Sequence, residues 1–148
     1  MAAADEPDPV ALAARALGRR DRSTREIDEL LARAGVGEAK RGDALETLRR
    51  LGYLDDARFA AARAGALAAR GYGDAAIGAD LARHVVEGDL ARDALATLRP
   101  EAERAARLFA RHGPTARVAR RLAAKGFGRE AVEDALRSVV AGGDAEAV

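Results

Sequence analysis

The residue types that usually carry catalysis are present in this chain, but their spacing does not suit catalysis. The two histidines, His84 and His112, lie far apart and the chain has no cysteine, so neither a paired-histidine nor a thiolate metal site is indicated. Ser23 has no histidine in register that would activate it as a nucleophile. The Gly-Tyr-Gly segment at 71–73 lacks the Gly-Lys-Ser/Thr ending of a phosphate-binding loop. We therefore expect no enzyme activity, no metal and no cofactor.

Two adjacent aspartates, Asp55 and Asp56, are the remaining candidates for a magnesium site or an acid–base pair. No third ligand or histidine stands near them in the sequence. A helix start explains the same residues: Asp55 as the N-cap, Asp56 beside the positive end of the helix dipole, and Leu54 packed on Phe59. We therefore interpret this segment as structural.

Basic residues recur at helical spacing near the end of the chain. Arg117, Arg121 and Lys125 follow one another every four residues, with Arg120 beside them. Like charges at this spacing destabilise an isolated helix by a few tenths of a kcal/mol per pair, so the row indicates a contact with phosphates or an acidic surface. The alternative is a solvated face in an arginine-rich protein. The candidate contact residues are Arg104, Arg107, Arg111, Arg117, Arg120, Arg121 and Lys125, with a weaker group at Arg19, Arg20 and Arg22.

The elements that carry these residues are repeated three times. Leu31, Leu81 and Leu122 stand in register, and each has an aliphatic residue four positions before it and a Val or Phe five positions after it. Spacings of three and four are helical, and blocks that recur every 40 to 50 residues are typical of stacked helical repeats. The pattern predicts an all-α fold of about nine helices, in three tandem three-helix repeats that form an elongated, curved array. Each repeat is called a unit.

Local signals place some of the helix boundaries. Ser23 and Glu26 form a capping-box pattern that starts the second helix of the first unit. Gly35 and Gly126 stand where a left-handed residue would end the second helix of units one and three. Val85 occupies that place in the second unit, and we expect the turn there to be built differently.

Composition and charge indicate the class of partner, the compartment and the segments of the chain. The 148 residues have a net charge of +1, but the third unit holds nine basic and five acidic residues, a surplus too small for indiscriminate coating of nucleic acid. No run approaches the roughly 20 apolar residues of a membrane span, and no secretory signal is recognisable, so we expect a cytoplasmic protein. We also expect a monomer. The predicted segments are a disordered acidic leader at 1–9, repeats at 10–55, 56–99 and 100–140, and a flexible tail at 141–148.

Several short motifs, in this order along residues 10–140, resemble the RecX family of bacterial recombination regulators. They are Arg20-x-x-Ser23 with Glu26, the run Leu-Gly-Tyr-Leu-Asp-Asp at 51–56 followed by Phe59-Ala60, Gly71-Tyr72-Gly73 with Ile77 and Leu81, and Lys125-Gly126-Phe127. The resemblance implies a protein that binds RecA recombinase filaments on DNA along their helical groove. There it would suppress ATP hydrolysis, strand exchange and coprotease activity.

Two other functions stay open from the sequence. A direct DNA binder is one, since three-helix units can place a helix in the major groove, although the chain offers few aromatic residues for stacking on single strands. A helical scaffold with an unrelated protein partner is the other. If the protein is a recombinase regulator, as the resemblance implies, the row of Arg117, Arg121 and Lys125 contacts the recombinase or the phosphates of its DNA.

Overall fold

A computed structural model describes residues 7–146 of the chain, and within that range the secondary structure consists of nine helices without a strand. The helices are α1 (Pro9–Leu17), α2 (Thr24–Arg33), α3 (Glu38–Arg50), α4 (Asp56–Ala69), α5 (Asp74–Arg83), α6 (Gly88–Ala96), α7 (Glu101–His112), α8 (Ala116–Ala124) and α9 (Arg129–Glu146). The predicted all-α class is confirmed. None of these helices is long and apolar enough to cross a membrane.

Each successive group of three helices encloses its own hydrophobic cluster. The register residues Leu31, Leu81 and Leu122 are each buried in a different cluster. In every group the first and third helices make the largest contact, and the second helix covers their shared face. We call these groups the first, second and third units. The curvature of the array stays a prediction.

Polar caps begin several helices as their sequences indicate, but one predicted contact does not form. Ser23 is fully buried, and its Oγ accepts a hydrogen bond from the Glu26 amide at 3.1 Å. Asp55 caps α4 by accepting from the Arg58 amide. The predicted packing of Leu54 on Phe59 is wrong, because Leu54 is buried in the cluster of the first unit and Phe59 in that of the second.

The second helix of every unit ends in the same turn, contrary to the expectation for the second unit. Gly35, Val85 and Gly126 have φ angles of +86°, +56° and +93°. In each turn the amide of the following residue donates to the carbonyl five positions earlier, as Val86 does to Leu81 at 3.1 Å. Val85 therefore occupies a left-handed conformation that costs a non-glycine residue roughly 1–2 kcal/mol.

Replacing Val85 by glycine should raise the free energy of unfolding by roughly 0.5–1 kcal/mol, because relief of the left-handed strain outweighs the extra flexibility of the unfolded chain. The Val85 side chain is 58% exposed, so little packing is lost. Urea denaturation measures the change. The matched control is Gly35→Ala, which introduces a side chain at the equivalent position with no atom within 4 Å and should destabilise by about 1 kcal/mol. A destabilised Val85→Gly protein would contradict the strain argument.

The ends of the described chain are more helical than predicted. Asp8 caps α1, which begins at Pro9, one residue inside the predicted leader. At the other end α9 continues through Gly142 and Gly143 to Glu146, past the predicted start of the tail at 141. Residues 1–6 of the predicted leader and residues 147–148 of the predicted tail lie outside the described residues.

Candidate basic surface of the third unit

The second and third units meet through their backbones. The Gly73 amide, at the start of α5, donates to the Lys125 carbonyl at 2.9 Å, and the Ala75 amide donates to the Gly126 carbonyl at 3.1 Å. The approach is so close that a Cβ atom on Gly73 would lie 2.4 Å from the Phe127 nitrogen. These contacts fix the end of α8 against the start of α5.

Charged side chains reinforce this junction. The Glu101 carboxylate accepts from the Asp74 amide at 2.6 Å and from the Gly128 amide at 2.8 Å, so one residue satisfies the starts of α5 and α9 together. Arg104 donates to the Asp74 carboxylate at 2.7 Å and to the Tyr72 carbonyl at 3.0 Å, and its side chain is only 11% exposed. Although the sequence made Arg104 a candidate contact, the structure uses it to join the two units.

Lys125 is partly engaged in the same junction. Its ammonium nitrogen lies 4.1 Å from the centre of the Tyr72 ring. The Arg70 guanidinium lies 5.6 Å from the same ring centre. Both cations are at the distance of a cation–π interaction. The Tyr72 ring is therefore occupied by two cations of the protein itself.

The other basic candidates of the third unit remain available for a partner. Their side chains lie on α7 and α8, they are exposed, and none of them pairs with a carboxylate among the side chains that the structure describes. We call this set the basic face, and its members are Arg107, Arg111, Arg117, Arg120 and Arg121. Because its charges are not neutralised within the described protein, the basic face is the strongest candidate site for an acidic partner.

Part of the basic face borders a groove between the second and third units. Two cavities of about 260 and 430 Å³ adjoin each other, since Ala69, Gly71, Leu108 and Arg111 line both, and we describe them together as one depression. We call its exposed and half-buried apolar lining the floor, namely Ala68, Ala69, Leu98 and Leu108, and we call its outer basic lining the rim, namely Arg70, Arg99, Arg107, Arg111, Arg121 and Lys125. The depression is also lined by Gly71, Arg104, His112 and the buried Val118, Leu122 and Phe127. We call this depression the basic groove. Arg117 and Arg120 lie outside it.

Two members of the rim, Arg70 and Arg99, were not predicted from the sequence. Arg70 is the C-cap of α4, and Arg99 lies in the connection between α6 and α7. Neither belongs to the helical row that identified the third unit. The end of α4 and the connection before α7 line the same cavities as α7 and α8, and no short-range sequence signal reports that proximity.

The weaker basic group in the first unit is largely neutralised. Arg20 donates to the Glu26 carboxylate at 3.1 Å, and Arg22 lies 4.0 Å from the same carboxylate. Asp21, between them, binds Arg58 of the second unit. Of these three arginines, only Arg19 is exposed and lacks a carboxylate partner among the described residues, so this turn offers little charge to a partner.

The residues first considered for catalysis have structural positions. His84 lies between Asp80 and Glu26, with its Nδ1 2.8 Å from the Asp80 carbonyl and its ring against Phe59. Asp56 accepts from the Thr24 amide at 2.8 Å and so joins the second unit to the first. Among the side chains that the structure describes, at residues 7–143, no three His, Asp or Glu group in a way that would hold a metal ion.

Comparison with known proteins agrees with this architecture. No protein-family model matches the chain. The crystal structure of RecX from Lactobacillus salivarius superposes with a TM-score of 0.77 at 17% identity, covering 88% of this chain and 94% of that one. A second crystal structure, of a regulatory protein RecX, has a TM-score of 0.69 at 24% identity and covers 85% of this chain and 72% of that one. At these identities the two structures support the fold alone.

Curated relatives establish the family. The regulatory protein RecX of Xanthomonas campestris pv. campestris is 32% identical over 142 residues, which cover 89% of this chain and 88% of the relative. That of Acidithiobacillus ferrooxidans is 36% identical over 83 residues, covering 56% of this chain and 55% of the relative. These relatives are regulatory proteins, which confirms the expectation that this chain is not an enzyme. The chain belongs to the RecX family of regulatory proteins.

Proposed function

We propose that this protein binds filaments of a RecA-type recombinase on DNA and suppresses their ATP hydrolysis, strand exchange and coprotease activity. Family membership supports a regulatory role in the context of RecA. The observation that carries the binding proposal is the basic face, where five exposed guanidinium groups lack an internal carboxylate partner among the described residues. In this proposal the protein acts as a monomer in the cytoplasm and needs no cofactor.

The arrangement of the units suggests how binding would restrain a filament. A tandem array of three units can contact neighbouring recombinase protomers at once, and bridging them would oppose the movements that accompany ATP turnover and DNA pairing. The close junction between the second and third units supports this mechanism, since a bridge transmits restraint only if its parts do not move freely.

Reversing charge on the basic face should weaken filament binding. We expect Arg117→Glu/Arg120→Glu to raise the apparent Kd for recombinase-coated single-stranded DNA on the order of tenfold, because two attractive contacts become repulsive. Binding is measured by fluorescence anisotropy at fixed salt. The control is Arg33→Glu/Arg50→Glu, which makes the same change in net charge at exposed residues of the first unit. Equal loss in both variants would show that total charge, and not the basic face, determines binding.

Titration of the recombinase ATPase tests the regulatory activity itself. We expect this protein to reduce DNA-dependent ATP hydrolysis at fixed salt. Loss of turnover at substoichiometric ratios would indicate capping of filament ends, whereas loss only near saturation would indicate occupation of the filament groove. ATP hydrolysis that does not change at any ratio would overturn the proposal.

Direct DNA binding is the second candidate, and the unpaired arginines of the basic face are the observation that favours it. Guanidinium groups bind phosphates in a bidentate manner. A protein that works through DNA should bind naked DNA with an affinity that falls steeply with salt. Appreciable binding only after recombinase is loaded supports the regulator instead.

A further inference from the structure

We infer that the basic groove binds an acidic polypeptide segment, in which carboxylates flank aliphatic side chains. The inference rests on the proposed function in assigning that segment to the protein partner rather than to DNA. It specifies which part of the third unit recognises protein and which chemistry it recognises.

The floor of the groove fits an aliphatic side chain. It is formed by Ala68 and Ala69 near the end of α4, together with the half-buried Leu98 and Leu108. The larger cavity, about 430 Å³, lies within the range of roughly 300–1,000 Å³ found for ligand sites. Burying an aliphatic group there would remove apolar surface of both molecules from water.

The rim fits carboxylates. Arg107 and Arg111 stand one helical turn apart on α7, and Arg99 and Arg121 border the same depression from other elements. None of these four guanidinium groups pairs with a carboxylate inside the described protein, and no Asp or Glu lines either cavity. Arginine binds carboxylates through two parallel hydrogen bonds, so the rim can hold an acidic segment on both sides of the apolar floor.

Nucleic acid fits the groove less well than a polypeptide does. Single-stranded bases bind proteins largely by stacking on exposed aromatic rings, and among the described residues no exposed Phe, Tyr or Trp ring lines the groove. The exposed ring at its edge is the imidazole of His112, which gives a base a smaller surface. Phe127 is only 5% exposed, with Arg104 against its ring, and the Tyr72 ring is covered by Arg70 and Lys125. A phosphodiester chain would satisfy the arginines but would bring no aliphatic side chain to the floor.

The walls of the groove are already fixed in the free protein. They belong to different units, but the hydrogen bond from Gly73 to Lys125 and the ion pair of Arg104 with Asp74 join those units beside the groove. A site whose walls do not need to be ordered on binding loses less entropy than a mobile one. The groove can therefore recognise a short segment.

Anisotropy titration of the full-length protein with three labelled probes tests the inference. The probes are a glutamate-rich peptide that carries two leucines, the same peptide with both leucines replaced by serine, and an oligothymidylate of equal charge. At one fixed salt concentration we expect the leucine-containing peptide to bind on the order of tenfold more tightly than the serine-containing peptide, because only the leucines use the floor. The oligothymidylate should bind more weakly than the leucine-containing peptide.

Two variants with equal charge changes locate the site. Arg107→Glu/Arg111→Glu alters the rim of the groove, and Arg117→Glu/Arg120→Glu alters the same unit outside it. We expect the first variant to weaken binding of the leucine-containing peptide at least about tenfold and the second to weaken it less than about threefold. All four arginines are exposed, and circular dichroism and thermal unfolding verify that both variants remain folded.

Several outcomes would overturn the inference. They are equal weakening in the two variants, equal affinity for the two peptides, no peptide binding at all, and tightest binding of the oligothymidylate with loss in the rim variant. The recombinase ATPase is measured separately with the same proteins. If the rim variant lost the peptide but suppressed the ATPase normally, the assignment of the segment to the recombinase partner would be wrong while the proposed function remained.

Discussion

Replacing Gly73 by alanine should lower the free energy of unfolding by about 3 kcal/mol or more, since the substitution overpacks a backbone contact and threatens two hydrogen bonds across it. The new Cβ would lie 2.4 Å from the Phe127 nitrogen and 2.5 Å from the Gly126 carbonyl carbon. Backbone atoms cannot turn aside as a flexible side chain can, so the second and third units would have to separate. Urea denaturation followed by circular dichroism measures the loss.

Gly37→Ala is the matched control for Gly73→Ala. Gly37 is the N-cap of α3, as Gly73 is of α5. Neither glycine has a side chain that could accept a hydrogen bond from the first amides of its helix. Nothing lies within 4 Å of a Cβ atom on Gly37. Both variants therefore share the loss of a glycine cap, about 1 kcal/mol or less, and only Gly73→Ala adds the contact. Equal destabilisation would mean that the junction opens at negligible cost.

The junction variant also connects stability with function. If a fixed relation between units is needed to restrain a filament, folded Gly73→Ala protein at low temperature should suppress the recombinase ATPase less than Gly37→Ala protein does. The basic groove, whose walls come from the same two units, should lose affinity for its peptide in parallel.

Hydrophobic periodicity predicted the fold because a helix in this protein buries a single face. Positions three and four apart, such as Ile27 and Leu31, fall on the same side of a helix and reach the same core. Both are fully buried, as are their counterparts Ile77 and Leu81. A pattern of this kind depends on neighbours along the chain and is therefore visible in a single sequence.

Contacts between units were not predictable in the same way. Asp56 looks like a residue of the first turn of α4, yet its carboxylate accepts from the Thr24 amide, 32 positions away. Glu101 likewise reaches Asp74 and Gly128, each 27 positions away. Helical spacing indicates which face is buried inside a unit, but the distance between two such surfaces depends on how whole units pack.

The turn at Val85 shows that tertiary structure can override a local preference. Valine rarely adopts positive φ, so its sequence predicted a different turn. Burial of Leu81 and Val86 in the cluster of the second unit requires the chain to reverse between them, as it does at Gly35 and Gly126. The core contacts of that unit therefore impose the strained conformation on Val85.

The basic surface was predictable only in part, because helical spacing is visible in the sequence and packing between units is not. Arg117 and Arg121 were found from their helical spacing, and both are exposed on α8. Arg104 follows the same kind of spacing on α7, yet it lies in the junction because the Asp74 carboxylate is opposite it. Spacing assigns an arginine to a face, while the neighbouring unit determines whether that face is open to a partner.

Replacing Asp80 by asparagine should lower the free energy of unfolding at neutral pH by about 2 kcal/mol, because it removes a charged acceptor of several hydrogen bonds. The Asp80 side chain is 10% exposed, and its carboxylate accepts from Arg63 through two bonds of 2.7 and 2.8 Å. Arg83 adds a longer bond of 3.4 Å. The expected loss is smaller than for a wholly buried pair, since the Arg63 side chain is 39% exposed and is screened by water.

The same residue should make stability depend on acid pH. The hydrogen bonds from Arg63 hold the pKa of the Asp80 carboxyl below its usual value, and they outweigh the opposing effect of burial. Because the folded pKa is lower than the unfolded pKa of about 3.9, the stabilisation is fully present above that value. It is lost as the pH falls through the pKa of the folded protein.

Urea denaturation at neutral pH and at about pH 3 tests the prediction. The unmodified protein should lose more stability between these conditions than Asp80→Asn, in which this carboxyl no longer titrates. The control is Asp89→Asn, whose side chain is 72% exposed and pairs with Arg92 on the surface of α6. It should change stability by less than about 1 kcal/mol and leave the acid dependence intact. Equal acid sensitivity of the Asp80→Asn and unmodified proteins would show that the pair with Arg63 is as well solvated as a surface ion pair. In that case the contact between α4 and α5 would depend on their apolar faces alone.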